Sequence, residues 1–248
     1  MLLKINKLIF LFALIFSEII LSESIINVEE LRRDFEKGLF TTIAGSLDIS
    51  RGNRNRDSFS FQTSVDFNKD NLETFFVAKR SIKKINNNNY DSSTLLHLRL
   101  NFLFDNKYSL EAYTQYSKNP FRKFNKRELF GLGSRFNINK SNKAGLGLLN
   151  EDEEDLTLLK DNTIRIGAYI HSEFKLDENI YFDLTAYYQP SISSFDDYKA
   201  TLIGQFDFFI NENFKISLQY NTFYDSKPPI TAVRKEEGMS TLFSYTFN

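Results

Sequence analysis

The 248-residue chain contains no cysteine and no tryptophan, only two histidines, four prolines and ten glycines, and it has no excess of charge of either sign. Without cysteine there can be no disulfide framework, thiolate metal site or cysteine nucleophile. The low glycine and proline content excludes collagen-like and low-complexity structure. Lys and Arg total 31 against 32 Asp and Glu, a formal charge of -1. That balance gives no pull toward nucleic acid, and no nucleic-acid partner is expected. Beyond the amino-terminal region no apolar run approaches the ~20 residues that a helix needs to cross a bilayer. A membrane span, if there is one, has to be built from strands.

The exception comes first in the chain. Lys4 and Lys7 precede an apolar stretch from Leu8 to Phe16 that resumes after Ser17 and Glu18, and Ser22 and Ser24 follow as small residues. This is the layout of a cleaved secretory signal, which predicts residues 1–24 as a signal peptide and export from the cytoplasm. Residues 25–38 then form a short periplasmic segment in which Val28, Leu31 and Phe35 recur at helical spacing.

What the chain has in quantity is phenylalanine and tyrosine, 26 and 12 residues. Aromatics at this level favour half-buried strands. From Leu39 onward the periodicity is two. Leu39, Ile43, Leu47 and Ile49 alternate with Thr42, Ser46, Asp48 and Ser50, and Phe59, Phe61, Val65 and Phe67 alternate with Ser58, Ser60, Gln62 and Asp66. Ten more such runs fall near 71–80, 92–104, 107–117, 127–137, 142–150, 162–174, 179–189, 198–209, 213–224 and 238–247. Connections after the even-numbered runs are short and polar. Those after the odd-numbered runs are mostly long and hold all four prolines. An even strand number, strands of roughly ten residues, and short turns at one end with long loops at the other predict an all-β fold. The expected form is a single closed antiparallel transmembrane barrel of about twelve strands, spanning residues 39–248.

In such a barrel the apolar face meets lipid and the polar face lines the lumen. The lumen phase carries Asp48, Asp66, Arg99, Glu111, Arg135, Arg165, Asp183, Lys199, Asp207 and Lys215. Close opposite charges in a confined interior pair with one another. The expected lumen network is therefore Asp48, Asp66, Arg99, Glu111, Arg135, Arg165, Asp183 and Asp207. Gly131, Gly133, Gly145, Gly147 and Gly167 share the inward phase and mark either a tight corner or a groove.

Arg and Lys are concentrated in the first three outer connections. Arg54, Arg56, Lys83, Lys84, Arg122 and Lys123 are expected to contact phosphates of lipopolysaccharide, alongside the outer-membrane lipids as partners. The run Glu151-Asp152-Glu153-Glu154-Asp155 lacks the glycine and alternate spacing of a calcium loop and reads as a hydrated outer loop. His97 and His171 lie on the lumen phase with no serine and carboxylate at motif spacing, and no His–carboxylate spacing repeats on one face. No catalytic residue, metal or cofactor is expected. The last run, Met239, Thr241, Phe243, Tyr245 and Phe247, resembles the terminal signal read by the barrel assembly machinery, with Asn248 after the final aromatic.

Several short segments together resemble one group. They are Gly45-Ser46-Leu47-Asp48-Ile49-Ser50-Arg51-Gly52-Asn53, Phe130-Gly131-Leu132-Gly133-Ser134-Arg135-Phe136, Gly145-Leu146-Gly147 leading to Asn150-Glu151, and Tyr224-Asp225-Ser226-Lys227-Pro228-Pro229 with Phe243-Ser244-Tyr245-Thr246-Phe247. In these the chain resembles the salt-induced outer-membrane proteins, a family of bacterial barrels with no assigned activity. The resemblance implies an outer-membrane barrel and a link to salt or osmotic stress, and supplies no catalytic residue. The functions left open are a structural or narrow-pore envelope protein, a loop-based binding surface, and a lipid-acting hydrolase.

Overall fold

A computed structural model describes residues 29, 32, 36–50, 56–85, 88–229 and 232–247, with the side chains of 48–50, 56, 85 and 88–91 outside the description. Residues 1–24, expected to be a signal peptide, and the helical spacing of Val28, Leu31 and Phe35 lie outside the described residues. The remainder is a barrel of twelve antiparallel strands: β1 Gly38–Ser50, β2 Arg56–Lys69, β3 Leu72–Ile85, β4 Asn88–Leu103, β5 Tyr108–Asn119, β6 Phe124–Asn137, β7 Asn142–Asp155, β8 Lys160–Asp177, β9 Ile180–Pro190, β10 Tyr198–Phe209, β11 Phe214–Asp225 and β12 Lys235–Phe247. Each strand pairs with its chain neighbours, and β12 closes on β1.

Three of the five short turns share one piece of chemistry. Asp105 Oδ1 accepts from the amides of Lys107 and Tyr108, both at 2.7 Å, and Asn139 and Asn211 each do the same for the residues two and three further on. An Asp or Asn that bonds its own downstream backbone closes a turn with few residues. In the tighter β2–β3 turn Asp70 takes a positive φ of 52°, a conformation that Asp tolerates better than most residues.

The outer connections are shorter than the sequence suggests. β3 runs on to Ile85 and β7 to Asp155, so residues 80–85 and the acidic run 151–155 are strand rather than loop. Polar side chains do not end a ladder whose backbone bonds continue. The closing seam is the exception to this long pairing. β1 and β2 are in register from Gly38 to Ser50, whereas β1 and β12 pair at five positions, Thr41–Gly45 against Phe243–Phe247.

Side-chain direction follows the alternation. Phe59, Phe61, Leu98, Phe206 and Phe243 are exposed on the outer wall, and Leu100, Phe182 and Leu184 share its phase. Near the short-turn ends, Phe104, Tyr108 and Phe136 form one outward stack and Phe174, Phe182 and Phe206 another. Near the outer ends Tyr188, Tyr198 and Tyr224 touch in series. Two aromatic girdles around an apolar band are what a lipid bilayer selects. The inward phase is mostly polar, but not throughout. Leu129, Leu149, Tyr187 and Ile203 form an apolar cluster inside the barrel, with Tyr113 and Tyr169 against it.

Candidate functional site

The inward charges collect into two networks, one on either side of that apolar belt. The network nearer the short turns is centred on the segment before β1, which the sequence reading puts outside the barrel. That expectation fails for Glu29 and Arg32, whose side chains are both fully buried. Arg135 on β6 donates from Nη2 to Glu29 Oε2 at 2.9 Å, and the Tyr169 hydroxyl donates to Oε1 at 3.2 Å. Arg32 reaches Glu73 Oε2 on β3 at 3.0 Å and Glu111 on β5, and Arg99 on β4 completes the group at 3.4 Å from Glu111. Three carboxylates (Glu29, Glu73, Glu111) thus balance three guanidiniums (Arg32, Arg99, Arg135). Burial pushes the Glu29 carboxyl upward, but Arg32, Arg135 and Lys143 outweigh it and hold the group well below the usual carboxylate range.

Glycine makes room for this arrangement. Tyr113 sits directly opposite Gly131 and Tyr169 opposite Gly145 in the strand registers. A Cβ on Gly131 would stand 2.1 Å from the Tyr113 ring, and one on Gly145 2.0 Å from the Tyr169 ring. Gly133 and Gly147 face each other, and a Cβ on Gly147 would come within 2.4 Å of the Leu132 carbonyl oxygen. The glycine wall is therefore occupied by the two tyrosines and by close backbone approach. With Tyr113 lying on Gly131, the Arg99 guanidinium stacks 4.8 Å above the Tyr113 ring.

The outer network is centred on Glu151, which is not in a hydrated loop. It points inward from β7 and accepts from Arg165 Nε at 3.0 Å, meets Arg127 Nε at 3.3 Å, and bonds Lys199. Arg165 also reaches Asp197 at 2.8 Å, and Lys199 reaches Glu153 at 3.2 Å. The connection between β5 and β6, a 3-10 turn at Pro120–Arg122, folds inward above these groups. Arg122 there lies 3.5 Å above the Phe223 ring and 3.6 Å from Glu236, and burial lowers its pKa to about 10, leaving it charged at neutral pH.

The remaining expected residues divide. Asp207 pairs with Lys215 at 2.6 Å, Asp183 with His171 at 3.7 Å, and Asp66 lies beside Asn68. Arg135 and Arg165 take Glu29 and Glu151 as partners, neither of which the lumen phase had suggested. The side chain of Asp48 is outside the described residues. Of the expected lipopolysaccharide contacts, Lys83 and Arg122 point into the barrel, 8% and 6% exposed, and cannot meet outer phosphates. Lys84 is exposed on the outer wall and Lys123 follows the inward-folded turn, while Arg54 and the Arg56 side chain are outside the described residues.

His171 has neighbours that spacing along the chain does not reveal. Its Nδ1 lies 2.8 Å from Thr185 Oγ1 across the β8–β9 register, with Asp183 on its other nitrogen. His97 shares a hydrogen bond with Gln115 at 3.2 Å and stacks on Tyr113. Thr185 is 1% exposed, so no substrate reaches its hydroxyl in this arrangement. Among the described residues no group of three His, Asp or Glu is placed to hold a metal ion.

Comparison with solved structures shows the same architecture. An outer-membrane channel from Pseudomonas putida F1 superposes with a TM-score of 0.54 at 9% identity, over 86% of this chain and 97% of that one. The NanC porin superposes at 0.50 and 8% identity, over 84% and 99%. At such identities the likeness is one of fold. No curated protein sequence matches the chain. The sequence profile of a family of unknown function, DUF481, matches residues 43–247, nearly the whole barrel, and the protein belongs to that family.

Proposed function

We propose that this protein is an integral outer-membrane barrel that holds its own lumen closed, acting as a structural envelope protein or a narrow pore for small ions and not as an open porin or an enzyme. One observation carries the reading. Glu29 and Arg32, from a segment preceding the first strand, sit inside the barrel among charges of β3, β4, β5 and β6. An apolar belt and a second network, which joins β6, β7, β8 and β10 through Glu151, stand above them. A permeating ion would have to displace paired, buried charges, and an unpaired buried charge is costly.

The same observation supports a link to salt or osmotic stress. Ion pairs weaken as ionic strength rises, though buried ones do so least. At high salt more ions enter the narrow lumen and compete for the paired groups, so the barrier falls with salt, though less steeply than for surface pairs. Export by a cleaved signal at residues 1–24 and insertion by the barrel assembly machinery complete the reading. The outward, exposed Phe243, Tyr245 and Phe247 offer that machinery an aromatic surface. The test is the conductance of refolded protein in planar bilayers at low and high salt. Small, infrequent openings that become more frequent with salt, beyond the rise in bulk conductivity, support the reading; large steady openings at both contradict it.

A further inference from the structure

The outer wall of β3–β6 turns basic toward its outer end. Going outward from the girdle at Tyr108 and Phe136, successive outward rows stay largely apolar, ending with Leu96 beside Tyr116. The next row is Arg80, Thr94 and Lys118, aligned across β3, β4 and β5. Each row advances two residues, about 5 Å of height in a strand tilted by roughly 40°. Lys118 stands five rows above Tyr108 on the same strand, roughly 25 Å, which is the height of the apolar band of such barrels, and Arg80 shares its row two strands away. Arg80 and Lys118 therefore lie at the depth of outer-leaflet headgroups. Lys84 lies on the same face of β3 two rows further out, beyond the exposed Ile82, and Lys126 lies on β6, next to β5. Lys126 has an exposed partner in Glu128 at 2.9 Å, a surface pair worth little. On β9–β11 the outer interface carries Tyr188, Tyr198 and Tyr224 instead.

We infer that Arg80, Lys84 and Lys118 form a site for the phosphates of an anionic outer-leaflet glycolipid, with the apolar wall below them against its acyl chains. The inference rests on the outer-membrane reading and replaces the inward-pointing Lys83 and Arg122 with residues on the lipid-facing wall. Cations at this depth are partly desolvated, which strengthens a charge-assisted bond to phosphate.

The test uses full-length refolded protein in nanodiscs with bisphosphorylated lipid A as probe. Binding is compared for the wild type, the Arg80→Gln/Lys118→Gln pair, and a Lys160→Gln/Lys235→Gln control that removes the same charge elsewhere. A loss of at least about tenfold in the first pair with an unchanged control is expected. Equal binding by all three, or equal loss in both pairs, overturns the site. So does equally tight binding of dephosphorylated lipid A. Full displacement by millimolar inorganic phosphate would make the source a free anion and also overturn the lipid site. Failure of the protein to enter nanodiscs contradicts the membrane reading instead, and heat-modifiable gel mobility confirms that each variant is folded.

Discussion

Arg135 grips a carboxylate that lies 106 residues earlier in the chain: its Nη2 donates to Glu29 Oε2 at 2.9 Å, and its Nε lies 3.2 and 3.3 Å from the two oxygens. Removing Glu29 leaves Arg135 and Arg32 as buried cations short of a counter-charge, so Glu29→Ala should destabilise by about 3–5 kcal/mol. Because the folded carboxyl is held well below its ordinary range, it stabilises the barrel at neutral pH. That contribution is lost as pH falls below the unfolded value of about 4.3 toward the lower folded one. Urea unfolding at pH 7 and pH 3 checks this. Glu29→Gln should show a clearly smaller loss on acidification than the wild type, and an identical loss would exclude Glu29 as the group responsible.

The two glycine–tyrosine contacts make a separate prediction. Gly131→Ala drives a methyl into the Tyr113 ring, and overpacking of this kind costs about 1–3 kcal/mol. Combining it with Tyr113→Ala should recover part of the cost, because the two residues share one space and are not additive. Additive losses in equilibrium unfolding would show that the ring does not lie on the glycine.

Phe76 on β3 is exposed outward within the apolar band, and Gln62 on the adjoining β2 is half-buried inward. Phe76→Arg should cost about 2–4 kcal/mol in a bilayer. Gln62→Arg should cost less. Equal costs for refolding into lipid vesicles would remove the distinction between lipid and lumen faces.

The five-position pairing of β1 with β12 is the shortest closure in the sheet and should open first. Ala44 and Ser244 are direct partners there, so an Ala44→Cys/Ser244→Cys disulfide should slow unfolding. A Ser64→Cys/Val77→Cys bridge within the fully paired β2–β3 ladder should slow it less. A greater effect of the second bridge, read from the loss of heat-modifiable mobility with time, would place the weak point elsewhere.

The faces of the barrel were legible in the sequence because a period of two needs no partner to be read. Every expected lumen residue whose side chain is described, from Asp66 to Asp207, does face inward. The pairing was not legible. Glu151 was read as a loop charge and Arg127 was not among the expected lumen charges, although each continues the inward phase of its strand beyond Leu129 and Leu149, a signal that extended parity would have shown. Glu29 and Arg32 lie in a segment read only for the helical spacing of its apolar residues, and their place in the lumen is set by partners on β3, β5 and β6 that local pattern does not encode. Thr185 met His171 only through the β8–β9 register, and the apolar belt was hidden because Leu129, Leu149 and Ile203 are isolated on otherwise polar faces.

Single-channel recording from refolded protein tests the closed lumen most directly. Arg135→Ala breaks the network around Glu29 and Arg165→Ala the one around Glu151, and neither removes a backbone bond of the strand registers. The wild type should show little or no conductance and each substitution should raise it, with the double variant conducting most. A large, stable conductance in the wild type, indifferent to both substitutions, would contradict the account and make the barrel an open porin.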